Sequence, residues 1–177
     1  MTELYDRIMA ETGTMRNWMT RIPGLETVVG NNDRRTADRM LREHIAKQLQ
    51  QRVDRFAAIE KQMLKSLGMS VMSETREAKS KLQVYVDKVK AAAPGYSGFF
   101  AAVNIDEEAM RELAAFDEAQ LRYVDKVNAA LDTLDTALSE GESVDAAVQG
   151  IYSIAEEAIR AFSLREDVLV NLNQKYS

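Results

Sequence analysis

The chain has 177 residues, of which 46% are hydrophobic and 29% are charged. This size and composition are typical of one folded domain, and the chain is too apolar for a disordered one. It contains no cysteine, which excludes disulfides, thiolate metal sites and cysteine nucleophiles. No apolar run approaches the roughly 20 residues that span a bilayer, and the start lacks the features of a signal peptide. We therefore expect a cytoplasmic protein.

The net charge of -5 is unevenly distributed along the chain. Residues 1–67 contain 12 Lys and Arg against 9 Asp and Glu, whereas residues 68–177 contain 11 against 19. Complementary halves of one helical bundle explain this asymmetry, and an anionic partner is the alternative. Because nucleic-acid binding normally needs a larger positive excess, we expect no nucleic-acid partner.

The predicted elements are all helices. The chain has only 2 Pro and 8 Gly, and most of them separate long stretches of helix-forming residues. Apolar spacing predicts a first helix over about 2–19, ended by Ile22-Pro23-Gly24 and followed by a loop. A second helix is predicted over about 33–67, ended by Gly68, and a third over about 73–92.

Two long helices complete the chain, over about 106–139 and 143–176, with Gly141 between them. Their apolar residues recur at alternating steps of three and four, which is typical of a coiled-coil-like hairpin. The expected fold is therefore all-α: an antiparallel four-helix-type bundle in a single domain, 1–177, with an additional N-terminal helix. The first 22 residues are expected to pack on this bundle; the alternatives are exchange onto a neighbouring chain, and contact with a membrane surface.

The hairpin makes a specific prediction about two charged residues. Asp117 and Arg165 interrupt the apolar seam, and they lie equally far in sequence from Gly141, so they should face each other. A buried charge without a partner costs several kcal/mol, so each residue needs the other. We predict a structural ion pair between Asp117 and Arg165, with Gln120, one step away, completing the hydrogen bonding. Such a layer would fix the alignment of the helices.

The sequence offers no catalytic, cofactor or metal site. The one histidine, His44, lacks the Glu-x-x-His context of a di-iron bundle, and the phosphate-binding glycine motifs are absent. The acidic runs 106–108 and 156–157 consist of adjacent residues, which point in different directions on a helix. We therefore expect a protein that is not an enzyme and binds no cofactor and no metal.

Two features are candidates for an interaction. The glycine-flanked segment 95–100 is rich in aromatic residues, which either cap the core or form a candidate interaction loop: Tyr96, Phe99 and Phe100. A candidate basic face on the second helix has a spacing of i, i+4 and i+7: Arg35, Arg39 and Arg42. The alternative for these arginines is pairing with the acidic helices, or locally with Asp38 and Glu43.

Four short patches resemble a family of uncharacterised bacterial all-helical proteins: IPG at 22–24, RRTADR at 34–39, GYSGFF at 95–100 and FD at 116–117. The resemblance spans most of the chain, and it departs at 25–30, where similar sequences tend to have another Gly-Tyr. It implies an all-α fold and no known activity. It also suggests that the loop at 95–100 and Asp117 matter to the whole group, for folding or for binding.

These observations lead to one functional expectation and two alternatives. We expect a non-enzymatic helical-bundle protein that acts through contacts with a protein partner or by self-association as an oligomer. A small-molecule or lipid-binding bundle is the first alternative, because small seam residues such as Ala155 and Ala158 either leave a pocket or allow close packing. The second is an accessory protein associated with a membrane surface.

Overall fold

A computed structural model describes residues 3–13, 19–30, 34–92 and 107–176, without the side chains of 34, 35, 107, 109, 110 and 172–176. The expected all-α fold is confirmed for this part of the chain, which contains no strand. None of its helices is both long and apolar enough to cross a membrane. Its α-helices are α1 (Glu3–Ala10), α2 (Leu25–Gly30), α3 (Arg34–Leu67), α4 (Met72–Ala91), α5 (Glu107–Glu140) and α6 (Asp145–Tyr176). A 3-10 turn, Met69–Val71, precedes α4.

The two turns between the long helices depend on glycine. Gly68 and Gly141 have φ values of 79° and 72°, a left-handed conformation that favours glycine. At the end of α5, Gly141 N–H donates to the carbonyl of Leu138, and Glu142 N–H donates to that of Ala137. This pair of bonds is a Schellman motif, which satisfies the last carbonyls of the helix and turns the chain back.

The four long helices pack around a shared core. Some neighbouring pairs are antiparallel, whereas α3 and α5 are parallel. α3 and α4 run in opposite directions, as do α5 and α6, because each pair is joined by a tight turn. α3 and α5 run in the same direction: Arg55 contacts Asp132 at 2.6 Å, while Asp38 lies at the level of Asp117. The turns at Gly68 and Gly141 therefore lie at the same end of the molecule.

The N-terminal region differs from the prediction. The first helix was expected to reach residue 19, but α1 ends at Ala10, and Thr12 and Gly13 are not helical. Threonine and glycine have low helix propensity, and the Gly13 N–H donates instead to Glu118 Oε2 at 2.9 Å. A short helix, α2, lies in the predicted loop, where it buries Leu25.

Helix α1 packs on α5 and α6 of its own chain. The Tyr5 hydroxyl donates to Glu112 Oε1 at 2.6 Å, and its ring lies against Phe116. Arg7 pairs with Glu157 at 2.8 Å, and Ile8 is buried in the core. The described part of the N-terminal region thus has partners within the chain.

Candidate functional site

The predicted ion pair between Asp117 and Arg165 is present. Arg165 Nε donates to Asp117 Oδ1 at 2.6 Å, and the two side chains are 2% and 6% exposed. The pair lies where equal distances from Gly141 place it, between α5 and α6. The Schellman turn therefore sets a register that extends over 24 residues in each direction (Asp117 to Gly141, and Gly141 to Arg165).

A second carboxylate, which the sequence interpretation missed in this role, belongs to the same site. Arg165 Nη2 donates to Asp38 Oδ1 at 2.9 Å, and the Asp38 side chain is 0% exposed. Arg42 Nε donates to the other oxygen, Asp38 Oδ2, also at 2.9 Å. Two carboxylates and two guanidinium groups thus form one charged layer: Asp38, Arg42, Asp117 and Arg165. It joins α3 to α5 and α6.

Asp38 had a detectable sequence signal. It continues the apolar stripe of α3 by one step, since Leu41, Ile45 and Leu49 follow at intervals of three and four. A carboxylate on such a stripe is buried and needs a cationic partner. The local pairing of Arg42 with Asp38, which was the alternative to a free basic face, is present, but the sequence did not place Asp38 against Arg165.

Gln120 does not complete the ion pair as predicted. Its Oε1 instead accepts a hydrogen bond of 2.6 Å from the Tyr85 hydroxyl on α4, and both residues are buried. Burial raises the pKa of Tyr85, so this hydroxyl remains a donor. The amide is drawn toward α4 because a buried hydroxyl requires an acceptor there. Gln120 Nε2 is buried without a hydrogen-bond partner in the described part of the chain.

Burial and charge act in opposite directions on Asp117. Desolvation raises the pKa of Asp117 above its ordinary value, and it is the largest influence. The adjacent Arg165 guanidinium opposes this shift both by its charge and by its hydrogen bond. The raised pKa makes proton uptake by Asp117 easier in the folded protein than in the unfolded chain.

Three of the four short sequence patches noted above, 22–24, 34–39 and 116–117, lie at this end of the molecule. Asp38 and Asp117 belong to the charged layer, and Phe116 beside it is buried. Gly24, with a φ of 80°, packs near Met40 on α3. The fourth patch, with the candidate interaction loop Tyr96, Phe99 and Phe100, lies outside the described residues.

An open groove of about 740 Å³ lies between α3 and α4, beside the charged layer; we call it the basic groove. Arg42 belongs to both features, because it also donates from Nη1 to the Ala92 carbonyl at 2.8 Å, just beyond the C-terminal end of α4. The groove contains four cationic side chains and one carboxylate. Its lining residues are Arg39, Arg42, Glu43, Ala46, Lys47, Gln50, Gln51, Val89 and Lys90.

Arg39 and Arg42, two residues of the candidate basic face, have different environments. Arg42 is half-buried and bound to Asp38, whereas Arg39 is exposed and makes no ion pair with any described residue. Lys47 and Glu43 are also exposed and make no ion pair with a described residue. Glu43 lies between Arg39 and Lys47 on the same side of α3. Arg39 precedes Glu43 by four residues, which is the less favourable order for pairing within a helix; Glu43 precedes Lys47 in the favourable order, but the two side chains form no ion pair. The side chain of Arg35 is outside the description.

We next consider residues in the described part of the chain that could bind a metal ion or transfer a proton. It contains no group of three or more His, Asp or Glu residues that could hold a metal ion. His44 is half-buried, and its pKa is lowered by burial and by Arg21, Lys47 and Arg52 nearby. The imidazole is therefore neutral at pH 7.

Comparison of the chain with known protein families, with curated proteins and with solved structures finds no match.

Proposed function

We propose that the protein is a non-enzymatic four-helix bundle that acts through protein–protein contacts, and that the basic groove binds an acidic segment of its partner. One observation carries the proposal. Arg39 and Lys47 line one groove, where both are exposed and have no ion-pair partner among the described residues, although the chain has an excess of acidic residues. Exposed charges of one sign increase the rate of association with a complementary partner and contribute to specificity.

The charge balance favours a protein partner over a nucleic acid. The groove includes Glu43, and the net charge of the whole chain is -5, so a long polyanion would be repelled outside the groove. A short acidic segment would contact only the local cluster of cations. Ala46 lines the same groove, and its small side chain leaves room for such a segment.

The charged layer supports a structural role for the interior. Each carboxylate in it contacts a guanidinium, and Asp38, Asp117 and Arg165 are almost completely buried. A buried polar layer of this kind fixes the alignment of helices, as single polar residues do in coiled coils. Ala155 and Ala158 are 0% exposed, as is Val127, which supports close packing of the seam in preference to a ligand pocket.

The proposal is tested by reversing the exposed charges of the groove. The tagged full-length protein would be purified from its source organism as wild type, as Arg39→Glu with Lys47→Glu, and as the matched control Lys61→Glu with Lys65→Glu. The control pair is exposed on the same helix, away from the groove, and makes no ion pair with a described residue. We expect a partner that co-purifies with wild type and control but is lost with the groove variant.

Equal recovery of every co-purifying protein with all three versions would overturn the groove as the binding surface. Circular dichroism and thermal melting of each version establish that the fold is intact. Light scattering coupled to gel filtration then shows whether the partner is a second copy of the chain, which would make the protein an oligomer.

A further inference from the structure

The basic groove has the form of a surface on which another helix packs. A ridge of exposed side chains, spaced by four residues, runs along α3: Arg39, Glu43, Lys47 and Gln51. Below the ridge, the small side chain of Ala46, which is 6% exposed, lies at the floor of the groove, and Lys90 is exposed on the opposite wall. Rows with a spacing of four residues are the ridges between which a neighbouring helix inserts its own side chains.

We infer that the partner segment is an acidic α-helix of about three turns that lies along α3 in this groove, an inference that rests on the proposed function. Its length follows from the ridge. Arg39 and Gln51 are twelve positions apart, a rise of about 18 Å, which matches about three turns of a partner helix. The small side chain of Ala46 allows that helix to approach closely.

Backbone hydrogen bonding favours a helix over an extended segment. Both walls of the groove are helices, so neither offers a free strand edge to pair with an extended chain. The Gln50 amide is already used, because its Oε1 accepts from Lys90 at 3.3 Å and its Nε2 donates to Asp54 at 3.2 Å. A helical segment satisfies its own backbone groups and needs only side-chain contacts.

The order of charges along the ridge specifies where the partner's acidic residues lie. Arg39 and Lys47 are eight positions apart, which corresponds to about 12 Å along α3. Two carboxylates seven residues apart share one face of a helix and are about 10 Å apart along its axis, so both cations can be reached. A carboxylate midway between them would face Glu43 and be repelled, whereas an apolar residue there is not repelled and lies over the small side chain of Ala46.

Three synthetic peptides of about 14 residues, built on an Ala- and Gln-based helix-forming sequence, test this arrangement with the full-length protein. The first carries two glutamates seven positions apart and a leucine midway. The second has the same composition but exchanges the leucine with one glutamate. The third is the first peptide with a central proline, which breaks the helix. Binding is measured by fluorescence anisotropy at low and raised salt.

We expect the first peptide to bind about tenfold more tightly than the second or third, a difference of about 1.4 kcal/mol. This preference should weaken in raised salt and disappear in Arg39→Glu with Lys47→Glu, but persist in Lys61→Glu with Lys65→Glu. Equal binding of all three peptides, or no binding of any, would overturn the helical form of the partner. If a natural partner still depends on the groove in the purification experiment, the proposed function stands and only the helical form of the partner is wrong. The failure of one proposal is therefore distinguishable from the failure of the other.

Discussion

Two of the polar clusters that connect the long helices use different cations. In the charged layer, Arg165 is 2% exposed and contacts both Asp38 and Asp117. Nearer the Gly68 turn, Glu60 accepts from Thr75 and pairs with Lys79, whose side chain is 31% exposed. The first cluster joins three helices in the interior, whereas the second joins α3 and α4 at the edge of the core.

The difference follows from the geometry of the two cations. A guanidinium has donors that point in several fixed directions and is weakly hydrated, so Arg165 can bridge two carboxylates without water. An ammonium is strongly hydrated, and Lys79 retains contact with solvent while its stem packs against the helices. Removing the bridging arginine should therefore be far more costly than removing the lysine.

The largest expected effect comes from Arg165→Met. It leaves Asp117 and Asp38 buried with fewer or no cationic partners, and should lower the free energy of unfolding by about 3–5 kcal/mol. Urea denaturation, followed by circular dichroism, measures this change. Replacing the three most deeply buried members of the layer together (Asp38→Leu, Asp117→Leu and Arg165→Met) should recover most of the loss, because only Arg42 then lacks an ion-pair partner, and its guanidinium is partly exposed and still donates to the Ala92 carbonyl. A single variant as stable as the wild type would contradict this account of the layer.

The second prediction concerns pH and Asp117→Asn. Because the pKa of Asp117 is raised in the folded state, the folded protein holds this proton more tightly than the unfolded chain. The contribution of Asp117 to stability is therefore greatest at acidic pH and is lost as pH rises through the raised pKa. Asparagine does not titrate, so the wild type should gain stability relative to the variant as pH falls from 7 toward about 4.

The size of this relative gain is limited to about 1.4 kcal/mol per pH unit for one proton. Parallel urea titrations of both proteins across that pH range measure it, and ionisations common to both cancel in the difference. A relative loss on acidification would mean that the attraction of Arg165 outweighs desolvation and that the pKa is depressed.

The smallest expected effect comes from Lys79→Met. The Lys79 side chain is partly exposed, so its ion pair with Glu60 is screened by solvent, and Thr75 still donates to the same carboxylate. We expect a loss of no more than about 1 kcal/mol in the free energy of unfolding, measured by the same urea titration. A loss as large as that of Arg165→Met would remove the distinction between the two clusters.

The sequence predicted those features that depend on local spacing. The four long helices begin and end within two residues of their predicted limits, and the Asp117–Arg165 contact followed from the turn at Gly141. The prediction of this contact succeeded because the connection between α5 and α6 is short, which leaves a single register for the two helices.

Contacts between the two hairpins could not be predicted in the same way. Asp38 reaches Arg165 only because α3 docks on α5 and α6, and 14 residues, 93–106, separate the two hairpins in the sequence, too many for their length to specify one register. The sequence predicted only part of the basic groove. Helical spacing placed Arg39 and Arg42 on one face of α3, but Lys90 lies near them only because α4 packs against α3.

The charged layer also has a consequence for the order of folding. Contacts within each hairpin are close in sequence, whereas Asp38 and Arg165 are separated by 127 positions. Closing so long a segment of chain costs more entropy than forming either hairpin, so the layer is completed late, when the two halves dock. Interactions made after the folding barrier act mainly on the rate of unfolding. The layer thus determines how long the assembled protein remains folded more than how quickly it folds.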